Sequence, residues 1–360
     1  MRLDVHRFQA TGHDLGVAIG TQFKQQIHGA LADNTELHER FRPYHNSAEG
    51  QALYQQLLAL HEHHYPGTVS ELRGYAKGAE VSFEDLFLTN LRGEYRGYAA
   101  VTDIPDIGEC STSTLLNADY AVFGHNEDGA EFYRDRSYLI HVQPQDEIPF
   151  LALCYPGFLP SNAFGANRSG LCYAINNVRP SQVRLGLGRH FLARSLLQAH
   201  SIEDALACLK VEPRAAGFNF TIASIAERRI LNVEVSPDQI HVHEISEGYF
   251  HANHYCHLDL LQQCEPSSVA RQNRGNELLA KGIPANQSEV LEVLRDQTNQ
   301  QLPIWRLGRD PDPAVTLLSA VFDLDNKCLS VYPGPLDEPQ NPQQPLLDLS
   351  LAEPNFGKQL

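Results

Sequence analysis

A cysteine followed by a carboxylate in the next expected strand is the strongest chemical signal in this sequence. Cys110 follows Gly108-Glu109, where a loop containing Pro, Gly and Asp meets a β-rich run, and Ser or Thr fills each of the next four positions. Asp128 closes the segment Gly124 to Asp128, on the strand that we expect to pair with the first. A thiol attacks well only as the thiolate, so it needs a lowered pKa or a nearby base. The pattern therefore predicts Cys110 as a nucleophile.

Cleavage of the chain between Glu109 and Cys110 would supply such a base. It frees the α-amine of Cys110, whose ordinary pKa of about 7.7 to 8 lets it accept the thiol proton near neutral pH. Asp128 could hold that amine and favour its charged form. Ordinary interpretations stay open beside this one, because a lone cysteine is usually a small buried apolar residue and carboxylates are common at strand ends.

Acyl chemistry also needs hydrogen-bond donors directed at the developing oxyanion, and asparagine amides can provide them. Asn253, in the segment His251 to Tyr255, is the first candidate, and Asn176 and Asn177 are further ones. Asn126 and His125, beside Asp128, are candidates for the oxyanion or the substrate. Each asparagine alone is weak evidence, because asparagine is also an ordinary turn residue.

Two further patterns are weighed and set aside. Histidines recur in His61 to His64 and again at His251, His254 and His257, but HExxH is absent and no cysteines stand at zinc-finger spacing. Gly186-Leu187-Gly188 lacks the further glycine of a dinucleotide loop and the lysine of a phosphate loop. We therefore expect no metal and no bound cofactor.

Composition narrows the class of protein. The chain has 360 residues, 42% hydrophobic and 20% charged, as expected of a globular protein with a sizeable core. A net charge of −16 opposes binding to nucleic acid or to an anionic membrane. No apolar run is long enough for a membrane span, and no apolar leader segment is visible at the start. Seven widely spaced cysteines without a CxxC pair favour reduced thiols and a cytoplasmic location. The oligomeric state is left open.

The order of predicted elements indicates an α+β protein. Residues 1 to about 105 show helical spacing, with a capping box at Ser82 that starts one of the helices. Asp103 to Gly108 reads as an exposed linker. From Cys110 onward the chain is mainly strands, interrupted by helices over Arg189 to His200 and Ile202 to Leu209. We expect hairpins over 230–245 and 314–332, and an irregular tail from Gly334 to Leu360.

Taken together, these segments resemble the acyl-coenzyme A:6-aminopenicillanate acyltransferase family of N-terminal nucleophile hydrolases, which is related to choloylglycine hydrolases and penicillin V acylases. The resemblance covers nearly the whole chain. It rests on the order of several short segments: 16–20, 90–94, the Cys110 segment, 124–128, 165–171 with Asn176-Asn177, Asn253-His254, and 316–323 with Gly334-Pro335.

The resemblance implies a four-layer αββα sandwich of two antiparallel sheets. It implies a helical pro-region, 1–109, that stays associated with a catalytic region, 110–360, after self-cleavage of the precursor. It also implies hydrolysis of a small-molecule acyl-amide, with Cys110 as nucleophile, Asp128 orienting it and Asn253 donating to the oxyanion. Two positions depart from the family pattern. Glu109 replaces a usual glycine, and His125 stands where choloylglycine hydrolases have arginine, which makes a bile-salt substrate less expected.

Two alternatives to hydrolysis stay open. The first is acyl transfer from a coenzyme A thioester, which would make that thioester a co-substrate. The second is an uncut, non-catalytic member of the family that serves as a binding scaffold because Glu109 prevents cleavage.

Overall fold

The computed structural model describes residues 3–99, 109–160, 162–335 and 344–360. Its helices are α1 Gly12–Gln22, α2 Lys24–Ala32, α3 Arg42–His45, α4 Ala48–His64, α5 Pro66–Ala79, α6 Phe83–Asn90, α7 Arg92–Tyr95, α8 Arg189–Leu196, α9 Ile202–Leu209, α10 Pro266–Lys281 and α11 Gln287–Leu294. A π-helical turn covers Leu37–Phe41, and a 3₁₀ turn covers Glu131–Tyr133. The expected linker from Asp103 to Gly108 lies outside the described residues.

The strands form two large sheets and one small pair. They are β1 Val5–Phe8, β2 Glu109–Leu116, β3 Ala121–Gly129, β4 Tyr138–Val142, β5 Phe150–Cys154, β6 Phe164–Asn167, β7 Leu171–Asn177, β8 Arg179–Pro180, β9 Phe218–Ser224, β10 Arg229–Val235, β11 Ile240–Glu244, β12 Tyr249–His251, β13 Gln262–Gln263, β14 Leu307–Arg309, β15 Asp312–Asp323, β16 Cys328–Pro333 and β17 Leu347–Ser350.

The first sheet has the order β1-β4-β5-β6-β7-β9-β10-β11, and the second has the order β12-β2-β3-β15-β16-β17, with β14 beside β15. Every neighbouring pair in these sheets is antiparallel except one, because β1 runs parallel to β4. The parallel pair lies at the edge of the first sheet, where the N-terminal segment adds a strand that the sequence analysis did not predict.

The alternation of side chains along each strand builds the layers. On β4, Tyr138, Ile140 and Val142 belong to the apolar core under the helices of the first layer, whereas Leu139 belongs to the core between the two sheets. On the second sheet, Val122 faces outward with Val290 of α11. The layers are therefore helix, sheet, sheet and helix, so the predicted αββα architecture is confirmed.

Glycines let two helices of the first layer cross at close range. A Cβ added at Gly16 of α1 would lie 1.9 Å from the Glu71 carbonyl oxygen of α5, and one added at Gly74 would lie 2.1 Å from the His13 carbonyl oxygen. Hydrogen at these positions lets the two backbones touch, which a larger residue would prevent. This crossing fixes the helical layer that covers the first sheet.

Most sequence-predicted elements are present, and their caps behave as expected. The Ser82 hydroxyl accepts a hydrogen bond from the Asp85 amide, and the hairpin of β10 and β11 pairs Val235 with Ile240. The helix expected over Arg189 to His200 ends earlier, at Leu196. The tail is not irregular throughout, because β17 pairs with β16. None of the helices in the described part of the chain has the length and apolar character needed to cross a bilayer.

Candidate active site

The hairpin of β2 and β3 places the cysteine segment against the acidic segment. The side-chain oxygen of Asn117 accepts hydrogen bonds from the amides of Asp119 and Tyr120, which closes the turn between the strands. This register sets Cys110 opposite Glu127 and Glu109 opposite Asp128. Because side chains alternate along a strand, the Cys110–Glu127 pair and the Glu109–Asp128 pair point to opposite faces.

Cys110 is buried, and its thiol lies beside a carboxylate. Its sulfur is 3.7 Å from Oε2 of Glu127, and its backbone N–H donates to Oδ1 of Asn253 at 2.9 Å. Burial raises the pKa of the Cys110 thiol well above its usual range, and the negative charges of Glu127 and Asp128 add to this rise. A hydrogen bond from the Asp128 backbone and the charge of Arg271 oppose it. In the continuous chain the thiol therefore needs a base before it can attack.

Asn253 follows β12 and is held by residues of α10 and β7. Its backbone N–H donates to the Ser268 hydroxyl at 2.8 Å, and its side-chain amide donates to the Asn177 carbonyl at 2.9 Å. Arg271 also donates to its Oδ1, at 2.8 Å. A primary amide has two N–H groups, and in the described part of the structure only the bond to Asn177 uses one. The other is available for an oxyanion.

Asp128 is buried on the face opposite the thiol. The Thr316 hydroxyl donates to its Oδ1 at 2.7 Å, and NH1 of Arg306 lies 3.9 Å from its Oδ2. Burial raises the pKa of this carboxyl to about 7, although the charges of Arg306 and Arg271 and the bond from Thr316 oppose the rise. Oδ2 has no hydrogen-bond partner within the described residues, which leaves an acceptor for an amine.

Glu109, immediately before Cys110, is held in a cluster of arginines. Its Oε2 accepts from Arg271 at 2.7 Å and from Arg306 at 2.9 Å, and Oε1 lies 4.0 Å from Arg179. Arg306 also pairs with Asp312 through both of its carboxylate oxygens. The extra carboxylate at this position is thus neutralised by buried guanidinium groups.

A chain of hydrogen bonds runs behind the thiol. His125 contacts Oε2 of Glu127 at 3.1 Å through Nε2 and the Thr112 hydroxyl at 3.0 Å through Nδ1. Thr112 in turn donates to Oδ1 of Asn176 at 2.7 Å. The Tyr155 hydroxyl donates to the other oxygen of Glu127 at 2.5 Å. His125 and Asn176 are therefore linked to Glu127, the carboxylate beside the thiol, through these hydrogen bonds.

The remaining candidates differ in their positions. Asn177 lines the cavity described below, and its side-chain oxygen accepts from Arg189 at 2.5 Å. Asn126 points to the outer helical layer, because its amide donates to the Leu294 carbonyl at 2.7 Å and Ser319 donates to its oxygen. The structure therefore gathers Cys110 with the other candidates but turns Asn126 away from the thiol.

The thiol opens into a cavity of about 360 Å³, within the range of small-ligand sites. Its walls come from both sides of the expected cleavage point. The N-terminal region contributes acidic and basic side chains, among them Asp33, Glu39 and Arg92, and the region after Cys110 contributes aromatic ones. The aromatic lining residues are Phe132, Tyr133, Tyr155 and Phe218. A ligand here would contact aromatic surface as well as charged side chains, among them Glu127, whose Oε2 is 3.7 Å from the sulfur.

Several groups of side chains have the spacing of metal ligands. Near the surface, the ligand atoms of His241, His243 and His257 lie within 4.8 Å of one another. Those of Cys110, His125 and Glu127 do so in the site, where the direct hydrogen bond between histidine and carboxylate already satisfies both groups. We assign this trio to hydrogen bonding, and the expectation of a metal-free reaction stays a prediction.

Sequence comparisons identify the family of this chain. Residues 115–337, more than half of the chain, match the family model described as acyl-coenzyme A:6-aminopenicillanic acid acyl-transferase. The chain belongs to this family. The matched segment contains β3, with Asp128, and the loop that carries Asn253, and it begins just after Cys110.

Two curated relatives extend over nearly the whole chain. A beta-alanyl-dopamine/carcinine hydrolase of Drosophila melanogaster is 26% identical over 358 residues, covering 90% of this chain and 91% of that protein. An acyl-coenzyme A:6-aminopenicillanic-acid-acyltransferase 40 kDa form of Emericella nidulans is 25% identical, covering 93% of both chains. Among solved structures, a Caenorhabditis elegans N-acylethanolamine-hydrolyzing acid amidase ortholog is similar, with a TM-score of 0.43, 14% identity, and coverage of 60% of this chain and 92% of that one.

Sequence reasoning missed the acidic and basic groups that surround the candidates. Glu127 was visible only as part of a motif, yet the hairpin register would have placed it opposite Cys110. Arg271 and Arg306 carried no local signal. Arg271 lies on α10, whose buried face consists of polar residues, so a search for apolar periodicity passes over it.

Proposed function

We propose that this protein is a self-processing cysteine amidohydrolase that cleaves the C–N bond of a small acyl-amide through an acyl-enzyme on Cys110. The observation that carries the proposal is the position of Cys110 at the wall of a small-ligand cavity that Asp128 also lines, with the side chain of Asn253 accepting a hydrogen bond from the Cys110 backbone N–H. The family model and the two curated relatives, which are named as a hydrolase and an acyltransferase, support amide or acyl-transfer chemistry in general.

In the mature enzyme, the free α-amine of Cys110 takes the thiol proton and the sulfur attacks the substrate carbonyl. Asn253 would donate its second N–H to the oxyanion, and Asp128 would hold the amine. The amine then returns the proton to the departing nitrogen, and water releases the acyl group from sulfur. The raised pKa of Asp128 suits a carboxyl that becomes fully charged only beside a cation such as this amine.

The cavity also supports a small substrate with an apolar or aromatic part. Phe132, Tyr133 and Phe218 line the same cavity as Cys110, and the N-terminal region adds charged side chains to its wall. Because residues on both sides of Glu109 form the cavity, the segment before the cleavage point must remain bound for the site to be complete.

The decisive test combines intact mass with activity. The purified wild-type protein should give two masses, for residues 1–109 and 110–360, and should hydrolyse members of an acyl-amide panel that includes beta-alanyl-dopamine. Cys110→Ala should give one mass and no hydrolysis. Cys264→Ala, at an exposed cysteine, is the matched control and should behave as wild type. Hydrolysis by Cys110→Ala would refute the proposal, and an intact, inactive wild type would favour the scaffold alternative.

The second candidate is transfer of an acyl group from a coenzyme A thioester to an amine. The family model and the relative from Emericella nidulans favour it. Both reactions share the acyl-enzyme and differ in what releases the acyl group. Supplying the thioester with and without an amine acceptor separates them, since a transferase would form the amide faster than it forms the free acid.

A further inference from the structure

The hydrogen bonds behind the thiol determine where one proton lies. The Asn176 amide nitrogen donates to the carbonyls of His251 and Ala252, both at 2.9 Å, so its Oδ1 is an acceptor. Thr112 has a single hydroxyl proton and gives it to that oxygen at 2.7 Å. Its oxygen must therefore accept the bond from His125, which places a proton on Nδ1 of this histidine.

The contact between His125 and Glu127 then needs a second proton. With Nδ1 protonated, a neutral imidazole would present a bare Nε2 to Oε2 of Glu127, and two acceptors at 3.1 Å would repel each other. One proton must lie between them, either on the histidine or on the carboxyl group. The pair thus has no net charge in either form, although both side chains are buried. This pair is called the dyad below.

The dyad lies at the sulfur of the nucleophile. Oε2, the oxygen that contacts His125, is also the atom 3.7 Å from Sγ of Cys110. Tyr155 holds the other carboxylate oxygen at 2.5 Å, which fixes the orientation of the group. A carboxylate positioned in this way can receive the thiol proton and release it again.

Before the chain is cut, the mature enzyme's base does not exist. The Cys110 nitrogen is then part of the peptide bond, and its single hydrogen is donated to Asn253. An amide nitrogen cannot accept the thiol proton, and burial opposes formation of the thiolate. Self-cleavage therefore needs a different base from the one that serves the later catalytic turnovers.

We propose that Glu127, paired with His125, is the catalytic base of self-cleavage, and that the α-amine of Cys110 replaces it after the cut. This inference rests on the self-processing part of the proposed function. Glu127 takes the proton as the S–H bond breaks, and the sulfur attacks the Glu109 carbonyl carbon. The C–N bond then breaks as the proton passes from Glu127 to the nitrogen. A thioester of Glu109 and a free amine result, and water hydrolyses the thioester to a carboxylate and the thiol.

The experiment follows the cleavage of newly made full-length chains. Cell-free synthesis is stopped at timed intervals, and intact mass gives the fraction cut. Glu127→Gln keeps the size of the side chain but removes its basicity, and we expect cleavage to slow at least about 100-fold. Glu131→Gln is the matched control. That carboxylate is 66% exposed, pairs with Arg134 and is not among the lining residues of the cavity, so its rate should equal that of wild type.

A second variant keeps the test decisive if Glu127→Gln does not fold. Thr112→Val removes the acceptor that fixes the proton on His125, with nearly the same shape, and should slow cleavage about 10-fold. Folding of each variant is checked by its melting temperature against that of uncut Cys110→Ala.

The possible outcomes separate the two proposals. A folded Glu127→Gln chain cut within threefold of the wild-type rate overturns the role of the dyad and leaves self-processing intact, as does a folded Thr112→Val chain cut at the wild-type rate. Cleavage that stops with EDTA and returns with zinc also overturns it, because the trio would then bind a metal. A wild-type chain that is never cut instead refutes the self-processing in the proposed function.

Discussion

Substitution of Glu109 tests whether its ion pairs with the buried arginines stabilise the folded state. We consider Glu109→Gln in a Cys110→Ala chain, so that cleavage does not interfere. The substitution keeps the shape but removes the charge between Arg271 and Arg306, whose side chains are 0% and 5% exposed. Arg306 keeps its ion pair with Asp312, whereas within the described residues Arg271 forms no ion pair with a second carboxylate.

Removing one partner of a buried ion pair costs about 3 to 5 kcal/mol, because the remaining charge is buried without compensation. We expect the lower end, about 3 kcal/mol, since Arg306 retains Asp312. With an unfolding entropy of about 2.1 cal/mol/K per residue, a chain of 360 residues should melt about 4 °C lower.

The assay is thermal unfolding followed by calorimetry or circular dichroism. Glu131→Gln in the same background is the control, because it breaks an exposed Glu–Arg pair whose expected contribution is at most about 1 kcal/mol. Equal shifts for the two variants would refute the reasoning, since the buried cluster would then contribute no more than a surface pair.

Three further predictions concern residues near Cys110 and the helical layer. Asn253→Ala should lower kcat about 100- to 1,000-fold by removing an oxyanion donor, as measured by steady-state kinetics, and a loss expressed only in KM would contradict it. The Asp128 carboxyl has a pKa raised to about 7, so its stabilising contribution is fully present below about pH 4 and is lost as the pH rises through 7. The melting temperature of Asp128→Asn should therefore rise relative to that of the unsubstituted chain as the pH increases from about 4 to 7. A difference that does not change with pH would contradict the raised pKa of Asp128. Gly16→Ala should destabilise the fold, because the added Cβ meets the Glu71 carbonyl, whereas Gly67→Ala, with open space, should leave the melting temperature unchanged or raised.

The sequence predicted those features that depend on local pattern. We expected the strands of Cys110 and Asp128 to pair, and β2 and β3 do form a hairpin, in which Asp128 lies opposite Glu109, the residue before Cys110. Serine caps predicted helix starts because capping involves neighbours only three residues apart. The edge strand β1 was not predicted, since four residues of which two, His6 and Arg7, are polar carry little strand signal.

Contacts between distant segments could not be predicted in the same way. Arg271 reaches Glu109 across 162 positions of sequence, and Arg306 reaches it across 197. No periodicity encodes such pairings, because they depend on how α10 packs on β2 and β12. The dyad is predictable from the sequence only in part. The hairpin register pairs Glu127 with Cys110, but the protonation of His125 follows only from Thr112 and from Asn176 on the other sheet.

The edge strand β1 and the helices before residue 100 have a consequence for the kinetics of folding. Together they supply one strand of the first sheet, most of the first helical layer and one wall of the cavity. While the chain is continuous, these parts meet at a rate that does not depend on protein concentration. If the bond before Cys110 is cut, as proposed, the same assembly becomes a reaction between two molecules, and refolding of the denatured mature protein is expected to slow on dilution. Maturation would therefore be a one-way step: the native state keeps its architecture, but the route back to it from the unfolded state is no longer intramolecular.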